Sequence, residues 1–228
     1  MDDACAPLSR TDALKDELEH HGVRAGWLAQ RVARVMGLDE DTVSSVSEAA
    51  SFHDIGKQFV DEAVLFKPGQ LDPNERSHME MHVVFGAWRL MSGGQSRPRL
   101  AAQVALLHHE WWNGGGYPFG LSGRDIPLAA RITAVTDVFD ALSQRRCYKP
   151  AWRKSDVMAY FAAQRARQFD PVCADAMREV ASSLPADWHR QALSATACRP
   201  LSVAGEAPPQ RLLRATAPYE VAGMGCCA

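Results

Sequence analysis

Apolar residues recur along this chain at spacings of three and four, and nowhere in the sustained alternation of a half-buried strand. Between residues 12 and 36, Leu14, Leu18, His21, Ala25, Leu28, Val32 and Val35 share one helical face. That spacing predicts a long amphipathic helix with His21 inside its buried stripe and His20 pointing away. Gly37 ends it, and Asp39 or Asp41 caps a second helix that aligns Val43, Val46, Ala50 and His53 before breaking near Gly56. Residues 58–71 read as irregular around Lys67-Pro68-Gly69. Asp72, Pro73 and Glu75 suit the N-cap, first turn and N3 position of a third helix, which carries His78 and His82 and continues to Ser92. A fourth helix spans 99–110 and ends in His108-His109-Glu110, and a fifth spans 127–143 with Asp137 and Asp140. Ser155 caps a sixth to about Gln168, and Asp170-Pro171 starts a seventh to about Ser183. The expectation is an all-α bundle of about seven helices over residues 1–184. Residues 185–228 read as an irregular C-terminal extension with at most one short helix.

The composition narrows the classes of function. Of the 228 residues 46% are hydrophobic, enough for a sizeable core, and the net charge is −2. No broad basic field is available for a nucleic acid polymer. No run of eighteen apolar residues predicts a membrane span, and the acidic start Met1-Asp2-Asp3 lacks the order of a signal peptide. Six scattered cysteines with no Cys-x-x-Cys pair suit reduced thiols in the cytoplasm. Cys226-Cys227 reads as part of a disordered tail.

Chemistry concentrates in the histidines. His21, His53, His82, His108 and His109 fall where helices can turn them to one interior, joined by Asp54 and Asp137. Imidazole with carboxylate suits iron, manganese, cobalt, nickel or zinc rather than calcium or magnesium. The seven residues divide into two sets: His21, His53, Asp54 and Asp137 for one metal, and Asp54, His82, His108 and His109 for the other. Asp54 is then the bridge. Two metals about 3.5–4 Å apart suit in-line attack on phosphorus. Lys57 either offsets charge on the phosphoryl oxygens or serves the helix end as a favourable cation.

With these motifs in order, the chain resembles the HD phosphohydrolase superfamily, and in finer pattern its HD-GYP branch. The matching residues are His21-x-x-Arg24, His53-Asp54-Ile55-Gly56-Lys57, His82-x-x-x-Gly86, His108-His109-Glu110 and Gly114-Gly115-Gly116-Tyr117-Pro118. They continue through Ile126-Pro127, Ala130-Arg131-Ile132, Asp137-Val138-Phe139-Asp140, Arg146-x-Tyr148-Lys149 and Phe169-Asp170-Pro171. Gly86 in that register selects His82 over His78. The resemblance implies a phosphodiesterase that hydrolyses cyclic di-GMP to pGpG, and in some members GMP, through a metal-bridging hydroxide. It implies two or three iron or manganese ions and catalytic roles for Asp54 and Lys57. Glu17 matches a third-metal ligand position, against the plainer role of a helix-surface glutamate. Lys57, Tyr117, Arg146 and Lys149 match substrate-binding positions, and the glycine loop matches an element that contacts diguanylate cyclase (GGDEF) domains.

Asn113 stands where the family carries aspartate, and Cys147 where proline is common. No receiver, PAS or membrane sensor precedes the first helix, so control by a fused sensor is not expected. Two alternatives stay open beside cyclic di-GMP hydrolysis. One is hydrolysis of another cyclic dinucleotide or a nucleotide; the other is a regulatory module that binds a cyclase domain through the glycine loop. The residues leave the oligomeric state undetermined.

Overall fold

The structure is a computed structural model that describes residues 10–92, 99–144, 151–195 and 208–209, with side chains from His20 onward. The described residues form helices α1 (Arg10–Val35), α2 (Glu40–Ser51), α3 (Glu62–Leu65), α4 (Pro73–Glu80), α5 (His82–Ser92) and α6 (Arg99–Leu107). They continue with α7 (Leu128–Ser143), α8 (Lys154–Gln164), α9 (Pro171–Ser183) and α10 (Trp188–Ala195). No strand forms among them, only isolated bridges between Asn113 and Ser122 and between Arg165 and Phe169. The all-α expectation holds, and no helix among the described residues is long and apolar enough to cross a membrane.

The caps of α2 and α4 follow the sequence. The Asp39 side chain accepts the Thr42 amide at 2.9 Å, and Asp72 and Glu75 form a complete capping box on α4. The apolar stripe of α1 packs on α2, α7, α9 and α10, with Ala25, Leu28 and Val32 fully buried. Gly22 and Gly26 let α2 approach α1 closely: a Cβ on Gly26 would lie 2.7 Å from Ser47 O. Ser47 Oγ donates to Gly26 O at 2.9 Å across the same contact. This approach brings the end of α2, and with it His53, beside His21.

Several boundaries depart from the periodicity. The expected third helix is broken at Met81 into α4 and α5. Directly opposite, the 3-10 turn Ile55–Phe59 packs on α5. A Cβ on Gly56 would collide with the carbonyl of His82 and sit 2.5 Å from Gly86 N, so only glycine fits. The fourth helix stops at Leu107, leaving His108 and His109 in the following turn. The sixth starts at Lys154, with Arg153 rather than Ser155 at the N-cap position and no side-chain cap. It ends at Gln164 because Ala166 turns to φ 63° and the Phe169 amide returns to Gln164 O at 3.1 Å. Val35, on the last turn of α1, is 41% exposed rather than inward. Beyond Leu184 the short helix α10 docks on the core: Trp188 stacks on Trp27 at 6.1 Å and lies 5.8 Å from Phe139.

Candidate metal centre

The centre lies where the end of α2, the start of α5, the end of α6 and the middles of α1 and α7 converge. His53 follows the last turn of α2 and Asp54 leads into the 3-10 turn, so two adjacent side chains enter the interior together. Both are buried, as are His21, His82, His108 and Asp137.

The ligand atoms fall into two groups of four, each within 4.8 Å of one another: His21, His53, Asp54 and Asp137, then Asp54, His82, His108 and His109. Asp54 belongs to both, and its two oxygens divide between them. Oδ2 lies 3.6 Å from His21 Nε2 and 3.4 Å from His53 Nε2. Oδ1 lies 3.4 Å from His82 Nε2 and 3.7 Å from His108 Nε2. Asp137 Oδ1 completes the first group, 3.2 Å from His21 Nε2 and 3.7 Å from His53 Nε2.

The ring orientations are set from behind. Nδ1 of His53 faces Ala50 O at 2.8 Å, Nδ1 of His82 faces Met79 O at 2.8 Å, and Nδ1 of His108 faces Ala105 O at 3.0 Å. Only an N–H at Nδ1 suits a carbonyl, so in the neutral ring the lone pair belongs to Nε2, which points inward. His21 Nδ1 instead faces Asp140 Oδ2 at 2.6 Å. Asp140 is itself gripped by Arg24, with Nε donating to Oδ1 at 2.7 Å and Nη2 donating to Oδ2 at 2.9 Å.

The chemistry of this donor set fits a divalent cation. Asp54 Oδ1, His82 Nε2 and His108 Nε2 are buried and make no hydrogen bond. Burying such atoms without a partner is costly, and a cation between them removes the cost. The electrostatics agree. Burial opposes charge on Asp54, but Lys57 and His53 outweigh it and hold the carboxyl well below its usual range. Burial likewise opposes a proton on His53, yet Asp54 and Asp137 push it up to about 10. His21 rises for the same reason, burial being overcome by Asp137 and Asp140. In the other group, burial pushes His82 down to about 3 and lowers His108 and His109. One half thus holds protons where cation charge is wanted, and the other presents neutral imidazoles.

The rim is built by the glycine-rich loop. Both oxygens of Glu110 accept loop amides, Phe119 at 2.7 Å and Leu121 at 2.9 Å. A Cβ on Gly116 would lie 2.6 Å from Glu110 Cα, so the chain folds back tightly there. The Tyr117 amide donates to His109 O at 3.1 Å, and its ring stacks on the His109 ring at 4.8 Å. Asn113 Oδ1 accepts the Gly115 amide at 3.0 Å, a bond an aspartate oxygen would make equally well. The start of the loop hydrogen-bonds the 165–169 turn, with Trp112 N donating to Gln168 O at 3.0 Å and Asn113 N to Arg167 O at 2.9 Å.

The structure therefore brings together His21, His53, Asp54, His82, His108, His109 and Asp137, with Lys57 Nζ on Asp54 Oδ2 and Tyr117 over His109. His78 faces away, accepting the Asp61 amide at 3.2 Å. Arg146, Lys149 and the side chain of Glu17 lie outside the described residues. Sequence reasoning left out Asp140, Arg24 and Glu110 as positioning groups. A signal existed for the first two: Asp140 is three residues past Asp137, and Arg24 three past His21, so each shares its partner's helical face.

The HD domain family model matches residues 9–173. The cyclic di-GMP phosphodiesterase response regulator RpfG of Xanthomonas campestris pv. campestris is 47% identical over 155 residues, 68% of this chain and 41% of that protein. The 3'3'-cGAMP-specific phosphodiesterase 2 of Vibrio cholerae is 36% identical over 168 residues, 74% of this chain and 32% of that protein. The chain thus spans less than half the length of these curated relatives. A crystal structure of a cyclic GMP-AMP specific phosphodiesterase of V. cholerae matches with a TM-score of 0.57 and 15% identity, covering 84% of this chain and 50% of that one, a likeness of fold.

Proposed function

This chain belongs to the HD domain family, and from that premise we propose that it is a metal-dependent phosphodiesterase that hydrolyses cyclic di-GMP to pGpG and, by a second cleavage, GMP. The observation that carries the reading is the Asp54 carboxylate, whose oxygens face two separate histidine groups. His21, His53, Asp54 and Asp137 would hold one divalent transition metal, and Asp54, His82, His108 and His109 the other. When bound, such ions acidify a water and offset charge on phosphoryl oxygens. The nitrogen and oxygen donors suit iron or manganese. Glu17, one turn before His21, is the residue we assign to a third ion.

The chain's own groups do the rest. Nδ1 contacts keep the histidine donors of the second group aimed, and burial keeps them neutral. Lys57, whose Nζ contacts Asp54 Oδ2, is the cation we assign to charge that develops on a non-bridging phosphoryl oxygen. Arg146 and Lys149 are assigned to the substrate phosphates, with Tyr117 closing the rim. The loop carrying exposed Trp111 and Phe119 is the surface we assign to a diguanylate cyclase (GGDEF) domain partner. We assign the activity to the cytoplasm. The relatedness to a protein named for 3'3'-cGAMP favours that dinucleotide as the second substrate reading.

The test is anaerobic purification, metal analysis, and turnover of cyclic di-GMP beside 3'3'-cGAMP. Wild type should carry at least two metals per chain and cleave cyclic di-GMP, and Asp54→Ala should lose both metal and turnover. An Asp54→Ala protein that kept full metal and activity would refute the mechanism; exclusive cleavage of 3'3'-cGAMP would refute the first substrate.

A further inference from the structure

The first ligand group depends on how α1 stands against α7. α1 supplies His21 and Arg24, and α7 supplies Asp137 and Asp140. The contacts between them are short: His21 Nε2 lies 3.2 Å from Asp137 Oδ1, His21 Nδ1 2.6 Å from Asp140 Oδ2, and Arg24 Nε 2.7 Å from Asp140 Oδ1. One buried side chain from a later element meets both helices. Trp188, the first residue of α10, stacks on Trp27 of α1 at 6.1 Å and lies 5.8 Å from Phe139 of α7. Trp27 is three residues past Arg24, and Phe139 directly precedes Asp140. Arg31 adds a second hold on α1, its Cζ 3.1 Å from the centre of the Trp27 ring. Ala192, one turn after Trp188, is fully buried, so α10 is seated along one face. The histidines of the second group come instead from α5 and the turn after α6. α10 lies outside residues 9–173, which the family model matches.

We propose that Trp188 is a positioning residue for the first ligand group: it braces α1 against α7 and so sets the distance from His21 to Asp137. This rests on the two-metal reading above. A buried indole is among the largest apolar contacts a core can make. Removing it leaves a cavity that the surroundings fill only in part, by shifts of the packed elements. Those elements here are the two helices whose separation closes the His21–Asp137–Asp140 contacts. The second group does not use α1 or α7 ligands, so it is spared.

The experiment titrates manganese(II) into the metal-free full chain by chelator competition and resolves two binding steps. Trp188→Ala should weaken one step about tenfold, the lower end of the loss seen when the groups that orient metal ligands are removed, and leave the other within about twofold. Trp188→Leu keeps part of the volume, should weaken the same step less, and carries the test at any temperature where the alanine chain is unfolded by circular dichroism. A His21→Ala background identifies the step: with the first group already broken, adding Trp188→Ala should change the remaining manganese affinity by less than about twofold. Equal weakening of both steps, no weakening of either, or further weakening in the His21→Ala chain overturns the bracing role alone. Wild type that binds fewer than two manganese ions, or a His21→Ala chain that binds none, overturns the two-group reading and Trp188 with it.

Discussion

Asp140→Asn separates a metal-positioning carboxylate from a merely structural one. Asp140 accepts from His21 Nδ1 at 2.6 Å and from Arg24 at 2.7 and 2.9 Å, with 1% of its side chain exposed and 12% of Arg24's. Asparagine keeps the shape and removes the charge. Arg24 then loses its counter-ion in a nearly dry site, a change that costs about 3–5 kcal/mol. For a chain of this size that is a fall in melting temperature of about 6–20 °C in the metal-free protein. His21 loses the acceptor that fixes its Nδ1–H, so its Nε2 is no longer held toward Asp137 and Asp54. Metal affinity should drop about 10–100-fold, and only in the group that contains His21. The assay is chelator competition with metal counting on both proteins. The variant should lose one metal equivalent early and keep the one at His82, His108 and His109. In a double-mutant cycle, adding Arg24→Gln to Asp140→Asn should cost much less than Arg24→Gln alone, a coupling of about 0.5–3 kcal/mol. Equal loss of both metals, or wild-type affinity at both, would refute the argument that Asp140 acts through His21.

Gly56→Ala tests the contact between the 3-10 turn and α5. The new Cβ meets the His82 backbone and Gly86 N at 2.5 Å, neither of which can rotate away. We expect a loss of about 3 kcal/mol in urea unfolding, with metal lost first from the His82 group; an unchanged midpoint would remove the packing account of that glycine. Proton linkage gives a second test. In the metal-free protein His53 is pushed up to about 10 and His21 is raised, so adding metal near neutral pH must expel their protons. Calorimetry in two buffers of different ionisation enthalpy should differ, and identical heats would contradict the assignment. The same shifts set a stability profile for the metal-free protein. The stabilisation from protonated His53 is full below about 6.5, the ordinary histidine value, and fades as pH climbs toward about 10. His82, pushed down to about 3, works oppositely: its contribution holds above about 6.5 and is lost as pH falls toward about 3. Thermal melts should therefore peak near neutrality, and a melting temperature still rising up to pH 9 would contradict it.

The sequence by itself determined most of the helices and which histidines and aspartates the fold gathers into two groups. Caps such as Asp39 and Asp72, and stripes such as Ala25-Leu28-Val32, are local rules that act over one or two turns, so they are visible without a partner. Histidines falling on those stripes could be picked out for the same reason. What it did not disclose depends on contacts between distant segments. The break at Met81 lies opposite the 3-10 turn that packs on α5 around Gly56, and the end of α8 at Gln164 accompanies a turn that hydrogen-bonds the glycine loop. The docking of Trp188 on Trp27 draws part of an apparently irregular extension into the core. The division of Asp54's oxygens, and the carbonyls that aim each Nε2, are likewise set only by the assembled fold. A side chain's type is written in one residue, but the direction of its lone pair is fixed by what several helices place behind it.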